Sequence, residues 1–177
     1  MRRHRFPLDR LLAAMAVATG LVLTACSGGG GGGDGKAAAG DATTCHADGG
    51  IDSASTTPTP MTVDLEEWTV SPAPLAVAAG PVRVTARNRG TEKHEVVVVR
   101  APIDRLPVAD GAVDEEGLPA GALVGEIEAF DAGGTCTTTF DLSPGTYSFF
   151  CNVVETEADG TRESHFEKGM VSAVTVG

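Results

Sequence analysis

Short apolar stretches separated by turn-forming residues fill the sequence from residue 61 onward, and this pattern is what most constrains the fold. Val82, Val84 and Ala86 alternate with polar residues, whereas 94–99 is a β-branched run suited to a strand buried on both faces. Turns that contain Gly and Pro, such as 143–145, separate the stretches. Seven or eight short strands joined in this way predict an all-β Greek-key sandwich or barrel.

We expect strands over eight stretches, because none of the domain has a helical period of useful length. Residues 101–121 are rich in Pro, Gly and Asp, which predicts a long loop with room for one helical turn. The predicted strands are 61–70, 75–79, 82–87, 94–99, 122–130, 135–142, 146–151 and 170–176.

The N-terminus has the features of a bacterial export signal. Basic residues in the first ten positions precede an apolar run over 11–23 that is too short to cross a bilayer comfortably. The run ends in Leu23-Thr24-Ala25-Cys26, which resembles a bacterial lipobox and implies cleavage before Cys26 and lipid attachment to its sulfur. We therefore predict a signal peptide over 1–25 and a lipoprotein exported to the outer face of the cell membrane. An ordinary secretory signal with a coincidental cysteine is the alternative.

Residues 26–60 are dominated by Gly, Ala, Thr, Ser and Pro, including an unbroken glycine run over 28–33. Such a segment has little to bury, so we predict a flexible, disordered linker. The remaining residues, 61–177, are enough for one domain with one core. The formal net charge of -11 argues against nucleic-acid binding, because a chain this acidic would repel phosphate.

Four side chains that bind soft transition metals follow one another in the predicted domain. His94 opens a strand, Cys151 closes another, and His165 and Met170 lie in the next connection. Strand ends and the loops that follow them can meet at one pole of a sandwich. Imidazole, thiolate and thioether brought together there form the ligand set of a blue-copper centre. Taken singly, the same residues are more typical of a surface histidine, a buried or disulfide-bonded cysteine and a core methionine.

The ordered set resembles the cupredoxin family, and the resemblance covers residues 61–176. The matching segments are 88–90 (Asn-Arg-Gly), 142–147 (Leu-Ser-Pro-Gly-Thr-Tyr) and 165–170 (His-Phe-Glu-Lys-Gly-Met). The resemblance implies one mononuclear type 1 copper ion and outer-sphere electron transfer. The ligands that it implies are His94, Cys151 and His165, with Met170 as the axial ligand.

The segment between the second and third ligands departs from the family pattern. Thirteen residues separate Cys151 from His165, where cupredoxins commonly have only a few. Asp-Gly at 159–160 favours a two-residue hairpin turn, so we expect a hairpin with Asn152 beside Ser164 that keeps the two ligands neighbours.

The expected hairpin carries four carboxylates, Glu155, Glu157, Asp159 and Glu163. It is either a docking surface for a basic partner or a solvated loop without a role, and Glu155 as a substitute ligand is a further alternative. Glu95 is a second departure, since asparagine often follows the first histidine in small cupredoxins. This leaves open the hydrogen bonds around Cys151.

The cysteines of an exported protein tend to pair. With Cys26 lipidated, Cys45, Cys136 and Cys151 remain, which is an odd number. A disulfide between Cys45 and Cys136 would leave Cys151 free for the metal and would pin the end of the linker to a strand. A disulfide between Cys136 and Cys151 would abolish the metal site, and the sequence does not exclude it.

The expected function is that of a membrane-tethered electron carrier, not an enzyme, because no nucleophile with a paired base is visible. We expect a monomer whose redox partner is a cytochrome or an oxidase subunit with a basic docking face, an expectation that rests on charge alone. The alternatives are a copper-binding protein that scavenges or delivers the metal, and a metal-free interaction module with the same fold.

Overall fold

The computed structural model describes residues 45–52 and 54–177. The chain divides into a unit over Met1–Ala38 and a unit over Ala39–Gly177, and all described residues belong to the second. The predicted signal peptide, Cys26 and the first part of the predicted linker lie outside the described residues. None of the helices in the described part has the length and apolarity needed to span a bilayer.

Strands account for most of the described residues, together with one 3₁₀ turn over Ile103–Arg105. Eight of the strands have five residues or more. The strands are β1 (Ala47–Asp48), β2 (Thr59–Glu66), β3 (Thr69–Ala73), β4 (Ala76–Val77), β5 (Gly80–Asn88), β6 (His94–Val99), β7 (Val108–Ala109), β8 (Ala112–Val113), β9 (Leu123–Phe130), β10 (Thr135–Leu142), β11 (Gly145–Phe150), β12 (Val154–Thr156), β13 (Arg162–Ser164) and β14 (Val171–Val176).

Two sheets form a sandwich, which confirms the predicted all-β class. One sheet has the order β1-β9-β6-β11-β14-β4, and the other has the order β10-β5-β2-β3. The pairs β2–β5 and β4–β14 are parallel, and the other pairs within these two sheets are antiparallel. β7 with β8 and β12 with β13 form two separate hairpins.

The alternating pattern of β5 places its apolar residues in the core between the sheets. Val82, Val84 and Ala86 are buried there, whereas Arg83 and Arg87 are exposed. Because successive side chains of a strand point to opposite faces, this is the burial that the pattern predicts.

β6 is buried on both faces, as its unbroken valine run predicts. Val96 and Val98 pack into the core between the sheets, whereas Val97 and Val99 belong to a second, smaller core. Leu106 and other apolar residues of the segment that follows β6 build this second core. The loop expected over 101–121 is therefore a cover for the outer face of the sheet, and it contains the 3₁₀ turn and the β7–β8 hairpin.

The strand expected over 75–79 is shorter, with only Ala76–Val77 paired, and two other regions also differ from the sequence expectations. The stretch 61–70, expected as one strand, contains a turn at Glu67–Trp68, so that β2 and β3 pair antiparallel with Leu65 opposite Val70. Alternation alone does not distinguish one long strand from two strands of a hairpin. The folded part also begins upstream of residue 61, because Ala47 of β1 pairs with Ile127 of β9.

Candidate metal centre

His94, Cys151 and His165 converge at one end of the sandwich, and all three are fully buried. His94 is the first residue of β6, and Cys151 directly follows β11, which pairs with β6 in the same sheet. The Nδ1 atoms of the two histidines are 3.1 Å apart. The Cys151 Sγ lies 3.3 Å from His165 Nδ1 and 4.0 Å from His94 Nδ1.

These separations fit a single metal ion between the three atoms. With metal–nitrogen bonds of about 2.0 Å and a metal–sulfur bond of about 2.3 Å, neighbouring donors at tetrahedral angles lie roughly 3.3 to 3.6 Å apart. The three observed distances bracket that range. Two imidazoles and one thiolate are donors for soft and borderline first-row metals, copper among them.

Cys151 is held as a buried thiol that a metal can deprotonate. Burial raises the pKa of Cys151 to about 12, although the backbone N–H groups of Glu95 and Val153 donate hydrogen bonds to its sulfur and lower the pKa. The charge of Glu155 raises it further. The thiol therefore carries its proton near neutral pH in the metal-free protein, and a metal that binds there must displace it.

Glu95 completes the hydrogen bonds around Cys151 that the sequence left open. While its backbone N–H points at the sulfur, its side-chain Oε1 accepts a hydrogen bond of 2.8 Å from the backbone N–H of Asn152. Burial raises the pKa of Glu95 to about 7, and the charges of Glu126 and Glu115 add to that effect. Glu95, which directly follows His94, is thus bonded to Asn152, which directly follows Cys151.

The loop that leads to His94 is organised by Asn88, the last residue of β5. Its Nδ2 donates to the backbone oxygens of Glu92 (2.7 Å) and Phe130 (3.0 Å), and its Oδ1 accepts from the N–H of Gly90 (3.0 Å). Asn88 is buried. These bonds set the path of the chain from β5 into β6 and so the position of His94.

Glu67 supports the same loop and the outer nitrogen of His94. Its Oε1 accepts hydrogen bonds from the backbone N–H groups of Thr91 (2.7 Å) and Glu92 (2.9 Å) and lies 3.2 Å from His94 Nε2. Burial raises the pKa of Glu67, but these hydrogen bonds outweigh it and hold the pKa at about 2. A carboxylate on the outer nitrogen leaves Nδ1 as the nitrogen that is available to a metal ion.

The outer nitrogen of His165 faces a carboxylate at a longer distance. His165 Nε2 lies 3.5 Å from Glu92 Oε2, and the ring of Trp68 contacts His165 edge-on at 5.1 Å. Burial lowers the pKa of both ligand histidines. Burial also raises the pKa of Glu92, helped by the charges of surrounding glutamates.

Sequence reasoning missed Glu67, Glu92 and Trp68. Glu67 and Trp68 form the turn between β2 and β3, and Glu92 lies in the loop before β6. The one available signal was the pair of adjacent carboxylates at 66–67, which interrupts the alternation of the expected first strand.

Met170 is buried directly after the loop that carries His165. Its backbone N–H donates to His165 O, and its backbone oxygen accepts from the N–H of Cys151, each at 3.0 Å. Gly169 before it has a φ of 110°, a left-handed conformation that favours glycine. The backbone thus ties Met170 to both neighbouring ligands, and its role as the axial ligand remains a prediction.

The expected hairpin between Cys151 and His165 forms, but its register differs. Val154, not Asn152, lies opposite Ser164. The Asn152 side chain binds the backbone of Val113 instead, accepting at 2.7 Å and donating at 3.0 Å, which keeps it out of the hairpin.

The turn of this hairpin covers residues 157–161 and not two residues only. Asp159 Oδ1 accepts hydrogen bonds from the backbone N–H and the hydroxyl of Thr161, and the N–H of Glu157 donates to Thr161 O at 2.8 Å. The charge of Glu155 acts on both ligand histidines and on Cys151, so the hairpin lies beside the centre. Among the described residues, the donor cluster around Cys151 does not include Glu155.

Cys45 and Cys136 form a disulfide, which is one of the two pairings that the sequence left open, and Cys151 is the free cysteine of the described residues. The alternative pairing of Cys136 with Cys151 is therefore wrong. The disulfide joins the segment before β1 to β10. It ties the end of the expected linker to the domain.

The sequence matches no protein-family model and no curated relative. Among solved structures, an auracyanin from the photosynthetic bacterium Roseiflexus castenholzii, reduced with dithionite, aligns with 69% of this chain and 99% of its own, at a TM-score of 0.51 and 22% identity. Auracyanin B aligns with 75% of this chain and 97% of its own, at a TM-score of 0.50 and 20% identity. At these identities the likeness shows the fold, which is that of the cupredoxins.

Proposed function

We propose that this chain is an exported type 1 copper protein that carries single electrons between membrane-associated partners. The observation that carries the proposal is the buried cluster of two histidine Nδ1 atoms and one cysteine Sγ, spaced for one metal ion. Bound copper would accept and donate one electron through this donor set. The fold supports it, because the auracyanins that share it are blue copper cupredoxins.

The chain's own residues would limit how much the centre rearranges during electron transfer. His94 and Cys151 lie at the ends of paired strands, and the backbone of Met170 bonds to both Cys151 and His165. Full burial of the three donors would keep water away from a metal ion held there. We also propose Met170 as the axial ligand, which its thioether and its backbone bonds to Cys151 and His165 support.

A visible spectrum of the copper-loaded domain tests the proposal. Residues 39–177 should be purified with the Cys45–Cys136 disulfide intact and Cys151 as the free thiol, and then loaded with Cu(II). Strong thiolate-to-copper charge-transfer absorption, blue or green, is the expected result. A colourless Cu(II) adduct would contradict it and would favour metal storage or delivery, and failure to bind copper would favour a metal-free interaction module.

Three variants assign the ligands. Cys151→Ser should abolish the colour, whereas Met170→Leu should retain copper and change the reduction potential. Glu155→Gln is the matched control in the hairpin and should keep the colour. Loss of copper from Met170→Leu would show that the axial assignment is wrong, and loss of colour from Glu155→Gln would make Glu155 a ligand.

We further propose that a basic face of a cytochrome or an oxidase subunit docks at the acidic hairpin. The proposal rests on charge complementarity, since Glu155, Glu157, Asp159 and Glu163 lie on the hairpin beside the centre. A fall in the rate of electron transfer with rising salt, weaker in a variant with these four carboxylates neutralised, is the expected result.

Anchoring through Cys26 at the outer face of the membrane is also a proposal, supported by the Leu-Thr-Ala-Cys sequence at 23–26. Expression of the full chain in a bacterium and detergent partitioning would test it. The wild type should partition with the membrane, and Cys26→Ser should not be processed to the lipidated form.

A further inference from the structure

Two buried polar atoms face each other on the outer side of the His165 ring. Among the described residues, neither His165 Nε2 nor Glu92 Oε2 has a hydrogen-bond partner, and both atoms are inaccessible to solvent. They are 3.5 Å apart, which is long for a hydrogen bond between an imidazole and a carboxylate. A buried polar atom without a partner is costly, so this pair points to a group that it binds.

The other ligand histidine shows what a satisfied outer nitrogen looks like in this protein. His94 Nε2 lies 3.2 Å from Glu67 Oε1, and Glu67 also accepts two backbone hydrogen bonds. The two rings are therefore anchored differently, although both are fully buried and both face a glutamate. The unpartnered outer nitrogen therefore belongs to His165, beside Glu92, and not to His94.

A third donor completes the arrangement. Glu163 of β13 lies near the pair, so that one atom each of Glu92, Glu163 and His165 can be chosen with all three within 4.8 Å of one another. Lys168 binds the Oε2 atom of Glu163 and lies 4.1 Å from the centre of the Trp68 ring. This contact orients the Glu163 carboxylate and places one positive charge nearby, against several carboxylates.

We propose that Glu92, Glu163 and His165 Nε2 hold a second divalent cation of the zinc class, next to the copper centre and sharing His165 with it. Nitrogen and carboxylate donors at about 2.0 to 2.2 Å from a tetrahedral ion lie roughly 3.4 Å apart, close to the observed separation of Nε2 and Oε2. The Glu92 and Glu163 side chains are 33% and 18% exposed, which gives the ion a route from solvent.

The local charge favours a cation at this position. The charges of Glu67, Glu155, Glu157 and Glu163 all act on Glu92. A divalent ion would neutralise part of this repulsion while satisfying both unpartnered atoms. Lys168 is the opposing charge, and its pairing with Glu163 reduces its effect.

Whether His165 must lose a proton to bind the second cation depends on whether copper is bound at its Nδ1 atom. In metal-free protein, His165 binds the cation through Nε2 with its single proton on Nδ1. If copper were held at Nδ1, the proton on Nε2 would have to leave to solvent for Nε2 to bind the second cation. No electron is transferred in either step.

Zinc titration followed by calorimetry and metal analysis tests the inference in two forms of residues 39–177. In copper-loaded protein, we expect one further equivalent of Zn²⁺ to bind, with a shift of the visible copper spectrum. In metal-free Cys151→Ser, which lacks the copper thiolate, we expect zinc binding to persist. The second form keeps the test independent of the proposed function, because it requires no copper.

Glu92→Gln and Glu163→Gln should each weaken zinc binding at least tenfold in both forms. Glu128→Gln, which changes an exposed carboxylate on β9, is the matched control and should bind zinc as the wild type does. Urea unfolding of each variant checks that it is folded, and two independent glutamate variants guard against loss of fold in one. Absence of zinc binding in both forms, or zinc binding that neither glutamate variant weakens, would overturn the inference.

Discussion

Replacing Glu95 by glutamine should stabilise the metal-free protein at pH 8 and change its stability little at pH 4. Burial raises the pKa of Glu95 from 4.5 to about 7 in the folded protein. The folded state therefore keeps the proton over a range in which the unfolded chain has lost it. Stability then falls as pH rises from about 4.5 to about 7, because the folded state binds more protons across that window.

The magnitude follows from the size of the shift. A difference of about 2.5 pKa units corresponds to at most about 3.5 kcal/mol, at about 1.4 kcal/mol per unit. Glutamine has the same shape and keeps an oxygen that accepts the 2.8 Å bond from the Asn152 N–H, so it removes the charge alone. The free energy of unfolding of Glu95→Gln should exceed that of the wild type by 1 to 3 kcal/mol at pH 8.

Urea unfolding at pH 4, 6 and 8 measures this difference. The protein must be metal-free, since metal binding has its own proton linkage. Glu116→Gln, which changes an exposed carboxylate between β8 and β9, is the control, and its effect should stay within about 0.5 kcal/mol at each pH. Parallel stability curves for the wild type and Glu95→Gln from pH 4 to 8 would refute the reasoning.

Three further predictions concern the disulfide and two residues that hold the loop before His94. Cys45→Ala combined with Cys136→Ala should cost about 4 to 5 kcal/mol in urea unfolding, because the disulfide closes a loop with a sequence separation of 91 residues; a loss below about 1 kcal/mol would contradict this. Glu67→Gln should cost about 1 to 3 kcal/mol at pH 7 by weakening charge-assisted bonds to two backbone N–H groups. Because the pKa of Glu67 is lowered to about 2, that difference should vanish as pH falls from 4.5 to 2, and a pH-independent cost would be inconsistent with it. Asn88→Ala should cost about 3 kcal/mol, for three hydrogen bonds, and lower copper affinity; equal affinity would show that His94 is positioned without it.

The ligand cluster could be predicted because local patterns place its members. His94 and Cys151 stand at the boundaries of two strongly apolar strands, and those strands pair in the structure. A wrong register between two strands would expose their buried faces, so alternation and burial specify which ends meet. The same reasoning located β5 and β6 with their buried faces.

The anchors of the two histidines could not be predicted, because they depend on contacts between distant segments. Glu67 meets His94 from the turn between β2 and β3, and in the sequence only the adjacent carboxylates at 66–67 mark that turn. Local side-chain bonds decided the hairpin register. Asn152 binds Val113, and Asp159 binds Thr161, which moved the pairing away from the two-residue turn that Asp-Gly favours.

Because of the β12–β13 hairpin, the number of residues between Cys151 and His165 does not determine the distance between these two residues. Its strands pair with each other, and its base is closed by a backbone hydrogen bond of 3.0 Å from the His165 N–H to Val153 O. Residues can therefore be added at its tip, 157–161, without moving Cys151 or His165 apart. This tip is a natural position for a grafted peptide or for new chain termini in a circular permutant, and the visible absorption proposed for the copper-loaded protein would report correct folding.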